Sequence, residues 1–195
     1  MISRALLICS IIGAVPAAAA AQTPRPAGSV FGGLAIASES ETGTRETHAG
    51  WMTAVVVPVS RSWSLVGEYD RIGWSVDYSS LKSRLDHTIS SLGGGARLGY
   101  GVFYLQVLAG RRSSGITNVH LSDGSSHEFT PDNSFMVQSG VGLEESLGRL
   151  LVFRLQGDWR TGPWGKVYKS SHDVETEMLN DFQVVAGIGI KFSRK

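Results

Sequence analysis

Asn180–Phe192 reads N-D-F-Q-V-V-A-G-I-G-I-K-F, and its period is two. Phe182, Val184, Ala186, Ile188, Ile190 and Phe192 fall on one face, while Gln183, Gly187, Gly189 and Lys191 fall on the other. Side chains of a strand alternate between faces, so Phe182–Phe192 is expected to be a strand with one apolar and one polar or small side. Leu150–Trp159 repeats the pattern. Leu151, Phe153, Leu155 and Trp159 oppose Arg154, Gln156 and Asp158. Such alternation suits a transmembrane barrel with an apolar exterior and a polar interior. It also suits a soluble barrel or sandwich, so the connections have to decide between them.

Working outward from these two segments, six more can be drawn: Ser29–Ser38, Gly50–Pro58, Trp63–Gly73, Asp86–Leu98, Val102–Arg112 and Ser134–Leu143. Each is close to the roughly 9–11 residues that a tilted strand needs to cross a bilayer. The links between them alternate strictly. Glu39–Ala49, Trp74–Leu85, Ser113–Asn133 and Arg160–Asp181 read as long polar loops, and Ser60–Ser62, Gly99–Gly101 and Glu144–Arg149 as short turns. Long extracellular loops, short periplasmic turns and both termini on the periplasmic side define an eight-stranded antiparallel up-and-down transmembrane β-barrel. Aromatic residues add two predicted rims. Trp51, Trp74, Phe135, Trp159, Trp164 and Phe182 mark the outer one; Phe31, Trp63, Tyr100, Phe103 and Phe192 mark the inner one.

Before this domain, Met1–Arg4 is a short basic region, Ala5–Val15 an apolar stretch and Ala17–Ala21 a run of small residues. These features predict a secretory signal peptide over residues 1–21, cleaved before Gln22, with 22–27 as a periplasmic leader and 28–192 as the barrel. The apolar core is too short for a spanning helix of roughly 20 residues. Cys9, the single cysteine, lies inside the signal, so the mature chain is expected to lack disulfides and cysteine-ligated metal. Arg4 is the only charged residue removed, which leaves 17 basic and 17 acidic residues. That balance offers no electrostatic case for nucleic acid as a partner.

Within the barrel the inward positions include Glu68, Asp70, Arg97, Gln106, Arg154, Gln156, Asp158 and Lys191. Ionised groups in a confined lumen are expected to pair, here as a plug joining Glu68 and Asp70 to Arg97, Arg154 and Lys191. A charge network of Glu68, Asp70, Arg97, Arg154, Asp158 and Lys191 is therefore predicted to fill an interior that eight strands leave barely wide enough for side chains. Inward glycines at 93, 95, 140, 142, 187 and 189 are expected to leave room locally.

The signal peptide, the eight-strand plan and the C-terminal segments together resemble the small outer-membrane β-barrel "porin family" domain, related to the OmpA transmembrane barrel and OmpX-like proteins. The residues that carry the resemblance are Gly140-Val141-Gly142-Leu143, then R-L-L-V-F-R-L-Q-G-D-W over Arg149–Trp159, a long loop, and Asn180–Phe192. Gly187, Ile190 and Phe192 are similar to the assembly signal read by the barrel-insertion machinery. In this chain, however, Ser193-Arg194-Lys195 follow the aromatic residue. The resemblance implies a monomer in the bacterial outer membrane that contacts its lipid and lipopolysaccharide, needs no cofactor or metal, and is not an enzyme.

Two other classes are compatible with parts of the sequence. A soluble periplasmic lipocalin-like barrel would need an apolar lumen and a polar exterior. A lipid A-modifying outer-membrane enzyme would need a catalytic constellation, and His120, Ser122 and Glu128 are the nearest approach to one. A triad needs a nucleophile bonded to a base that a third group orients, whereas these three lie in a polar loop. His48, His87, His120, His127 and His172 are scattered without metal-ligand spacing.

Overall fold

The structure is a computed structural model describing residues 28–41, 44–78, 83–128, 132–168 and 174–192. The segments read as signal peptide and leader, and the last three residues, lie outside the described residues. Among the described residues there are nine strands: β1 (Gly28–Glu41), β2 (Thr44–Pro58), β3 (Trp63–Tyr78), β4 (Ser83–Tyr100), β5 (Phe103–His120), β6 (Ser126–Glu128), β7 (Asp132–Leu147), β8 (Leu151–Tyr168) and β9 (Val174–Phe192). Eight of them form the wall, each antiparallel to its neighbours; β6 is a three-residue strand lying against the far end of β5. The wall closes where β1 meets β9, from Gly28 opposite Phe192 to Glu39 opposite Asp181. Closure removes the free edges, whose unpaired backbone groups would each cost several kcal/mol in hydrocarbon.

The turns at the end where Gly28 meets Phe192 are tight. Gly101 (φ 62°) and Gly148 (φ 82°) take left-handed backbone conformations there, which glycine adopts without steric cost. The Val59–Ser62 connection is fastened by Ser60, whose hydroxyl oxygen accepts the Trp63 amide at 3.1 Å.

At the opposite end the structure corrects the sequence reading. The four stretches expected as long loops are largely continuous strand. The β3–β4 ladder runs out to Tyr78 opposite Ser83, and the β8–β9 ladder to Tyr168 opposite Val174. Strands of 14 to 19 residues exceed what a bilayer requires. The surplus continues as hairpin because nothing in water opposes further backbone pairing. Polar side chains on both faces conceal the period of two in these extensions.

Ladders between hairpins stop earlier. β2–β3 ends at Gly50 opposite Ile72, β5–β7 at Ser114 opposite Asp132, and β7–β8 at Val137 opposite Thr161. Above that level the wall divides into the β1–β2 hairpin, a β3–β4–β5–β6 sheet and the β8–β9 hairpin. Two register shifts accompany the division, at Asp86/His87 and at Pro163/Lys166. Proline cannot donate to a ladder, which accounts for the second.

The faces sort as the alternation predicts. Leu34 is 73% exposed, Ile190 62% and Val107 59%, while Arg154, Arg160 and Gln183 are fully buried. The outward surface is thus the apolar one. Trp51, Phe135, Trp159 and Phe182 point outward at the upper rim, and Trp63, Tyr100, Phe103 and Phe192 at the lower. Two aromatics depart from their expected places. Phe31 is 1% exposed and points into the lumen, because the outward positions of β1 are the even ones. Trp74 is inward as well, stacked between His48 (centroids 4.0 Å apart) and His87 (5.1 Å). The Trp164 side chain lies outside the described residues.

Candidate functional site

The polar side chains inside the barrel form three tiers. In the tier nearest the Gly28 and Phe192 end, Glu144 Oε2 takes Arg97 Nη1 at 2.8 Å and Arg154 Nη2 at 3.0 Å. Aromatic faces cover both guanidiniums: Arg97 stands 3.8 Å from the Tyr104 ring centre and Arg154 4.3 Å from that of Phe31. Each cation–π contact adds to the ion pairing where water is excluded.

The middle tier is built from amides around carboxylates. Glu68 accepts from Gln138 at 2.6 Å and from Gln106 and Gln156 at 3.2 Å each. Asp158 accepts from Gln156 at 2.6 Å, and the Tyr104 hydroxyl donates to Gln156 Oε1 at 2.6 Å. Glycines admit these groups. A Cβ at Gly140 would collide with the Asp158 carboxylate, and one at Gly142 with the Tyr104 ring. At these two positions the missing side chain is the seat of a neighbour.

The outer tier centres on Arg160. Its Nη1 binds Asp70 Oδ1 at 2.8 Å and reaches Ser91 Oγ at 3.3 Å, while its Nε binds Asp181 Oδ1 at 2.7 Å. Arg112 Nη2 meets the other Asp181 oxygen at 2.7 Å. Apolar residues complete the filling: Phe31, Ala35, Met52, Ala54 and Val185 in one cluster, and Val56, Val66 and Leu108 in another.

The structure therefore places five of the six expected network residues, Glu68, Asp70, Arg97, Arg154 and Asp158, deep in the lumen. They do not bond directly as a plug of acids on Arg97, Arg154 and Lys191. Asp70 pairs with Arg160, Glu68 is held by three glutamines, and Arg97 and Arg154 share Glu144. Lys191 stands apart at the mouth and donates to the Gly148 carbonyl at 3.2 Å. Sequence reasoning missed Arg112, Glu144, Arg160 and Asp181. Arg112 is the last residue of the expected strand Val102–Arg112, and the other three lie just beyond the end of one: Arg160 follows Asp158 by two, Asp181 precedes Gln183 by two, and Glu144 follows Gly142 by two. One further step of the same period identifies all three as inward.

Gly187, Ile190 and Phe192 lie near the end of β9, Gly187 turned inward and the two apolar side chains outward. His120, Ser122 and Glu128 are not brought together as a triad. His120 Nε2 contacts Asp86 Oδ2 at 3.0 Å, and Glu128 lies in β6. Asp86 is the hub of a small surface cluster in the projecting sheet: Ser75 donates to it at 2.7 Å and Arg84 at 3.1 Å. The Ser75 hydrogen bond, with those from His120 and Arg84, holds the Asp86 carboxyl down at about 2. It is thus a carboxylate throughout the physiological range. Among the described residues, no three His, Cys, Asp or Glu side chains gather as a metal site.

No protein-family model matches the chain. No curated protein sequence matches it either. Solved structures do. Ail, the attachment invasion locus protein of Yersinia pestis, crystallised with the heparin analogue sucrose octasulfate, superposes with a TM-score of 0.61 at 15% identity, over 85% of this chain and 97% of Ail. Neisserial surface protein A superposes with a TM-score of 0.56 at 16% identity, over 87% of this chain and 100% of its own. At such identities the likeness concerns the fold: this chain has the small eight-stranded barrel architecture of those proteins.

Proposed function

We propose that the chain is a bacterial outer-membrane protein, exported with residues 1–21 as signal peptide and inserted through the Gly187, Ile190 and Phe192 signal. In this reading it is a non-enzymatic monomer with a closed lumen, acting as a structural element or through its projecting hairpins. The observation that carries the reading is the inversion of the usual burial rule. Large apolar side chains stand exposed around the whole wall, bounded by aromatic rims, while arginines, aspartates and glutamines are buried. A contiguous exposed apolar surface on this scale marks contact with a membrane or partner, and its closed belt around a barrel fits lipid. The lipocalin-like alternative requires the opposite distribution and is disfavoured by both faces.

The full-length gene product expressed in a Gram-negative host should sediment with the outer membrane and need detergent for extraction. Unheated, it should migrate on a denaturing gel apart from the boiled sample. Recovery in the soluble periplasmic fraction, with identical migration before and after boiling, would refute membrane integration.

A further inference from the structure

The middle tier of the lumen holds two buried acids, Glu68 of β3 and Asp158 of β8, and they are bonded to amides, not to a base. Two amide nitrogens bridge them. Gln106 Nε2 lies 3.2 Å from Glu68 Oε2 and 3.5 Å from Asp158 Oδ1; Gln156 Nε2 lies 3.2 Å from Glu68 Oε2 and 2.6 Å from Asp158 Oδ2. The first amide is oriented from its other end. Gln106 Oε1 takes an N–H of Arg97 at 3.4 Å, and a guanidinium only donates, so the amino group faces the acids.

Across the wall neither acid meets a charge: Glu68 lies opposite Ala54 and Gly93, and Asp158 opposite Gly140 and Gln183. β1 and β2 line the lumen with Phe31, Ala35, Met52 and Ala54. The other ionisable groups facing the pair are Tyr104, which is bonded to Gln156, and the members of the two flanking tiers. With every acid and base ionised, Arg97 and Arg154 exceed Glu144 by one positive charge, and Arg112 and Arg160 match Asp70 and Asp181. Glu68 and Asp158 then leave the three tiers with one negative charge too many. Gln183 is a second, independent sign. It is fully buried beside Asp158, and neither its amide nitrogen nor its oxygen has a hydrogen-bond partner among the described residues.

We propose that Glu68 and Asp158 hold one proton between them in the folded barrel, with Asp158 as its seat. The proposal rests on the closed lumen of the reading above, since a water-filled interior would let both acids ionise. Glu68 collects three amide donors, which favour a carboxylate, whereas Asp158 has one short and one long. A protonated Asp158 becomes a donor, and the unused oxygen of Gln183 stands across the ladder from it. The proton makes the three tiers neutral together. A metal cation in its place would meet the amino groups that already crowd these oxygens. The folded barrel then binds one more proton than the unfolded chain wherever free carboxylates are ionised, above about pH 5. Stability therefore falls as the pH rises, until that proton leaves. Acids held by arginine, such as Asp70, act in the opposite direction.

The test uses the chain refolded into phosphatidylcholine vesicles, with heat-modifiable migration reporting the inserted barrel for every variant. At neutral pH the infrared spectrum of the unaltered protein should contain the carbonyl stretch of a protonated carboxylic acid. Asp158→Asn and Glu68→Gln should each abolish it, because the remaining acid then ionises. Over the pH range in which the proton is held, the urea unfolding constant of the unaltered protein should rise about tenfold per pH unit relative to either variant. Lys191→Gln, at the mouth, should keep both signatures. An inserted barrel without the acid band, a band that survives both substitutions, or equal pH dependence in parent and variants would each overturn the proposal. So would stability that follows the identity of the alkali cation in place of pH.

Discussion

Replacing Arg160 by methionine should destabilise the barrel by about 3–5 kcal/mol, the usual cost of removing one member of a buried ion pair. The magnitude follows from what is left behind. Arg160 is fully buried and bonds two carboxylates on different strands, Asp70 at 2.8 Å and Asp181 at 2.7 Å. Asp181 retains Arg112, whereas Asp70 loses its ion pair. The penalty is thus chiefly that of stranding Asp70, and neutralising it should recover much of the loss. Unfolding by urea in lipid vesicles, comparing Arg160→Met with Arg160→Met/Asp70→Asn, measures both quantities. A single variant within 1 kcal/mol of the parent would mean that the tier is solvated and not sealed.

The second large effect concerns the opposite face. Ile188 is 53% exposed near the middle of the apolar stretch of β9, between Gly32 on β1 and Phe153 on β8. Arginine at this position puts a charge into hydrocarbon, at about 2–4 kcal/mol near the bilayer midplane. Assembly yield in cells and folded fraction in vesicles should both fall sharply. Lys191→Gln, three residues on and facing inward, removes one exposed bond to the Gly148 carbonyl and should be nearly silent. Equal damage from the two changes would reverse the face assignment.

These two sites show what sequence alone carries. Ile188 was legible because the faces of β9 differ in chemistry, so an apolar and polar alternation fixes both the strand and its orientation. Arg160 is not, because the apolar side chains that mark β8 as a strand stop at Trp159. A barrel strand continues past the membrane, and the residue that closes its lumen is polar with polar neighbours on both sides. The same boundary concealed Glu144 and Asp181. Phe31 and Trp74 illustrate a different loss. Their heights suited the rims, but parity places them inside, and parity was already readable in Val30, Leu34 and Ile36 flanking Phe31. Partner choice within the lumen was beyond sequence altogether. That Glu68 is held by three glutamines and not by an arginine depends on how long side chains from β3, β5, β7 and β8 meet across the interior.

The proposed closed interior rests on eight strands, three polar tiers and side chains seated against Gly140 and Gly142. Planar-bilayer recording of the purified, refolded monomer tests it most directly. The expected trace is silent or shows only small, irregular steps at all applied voltages. Stable, large, nonselective conductance from the monomer would contradict a filled lumen and make the barrel a general diffusion pore.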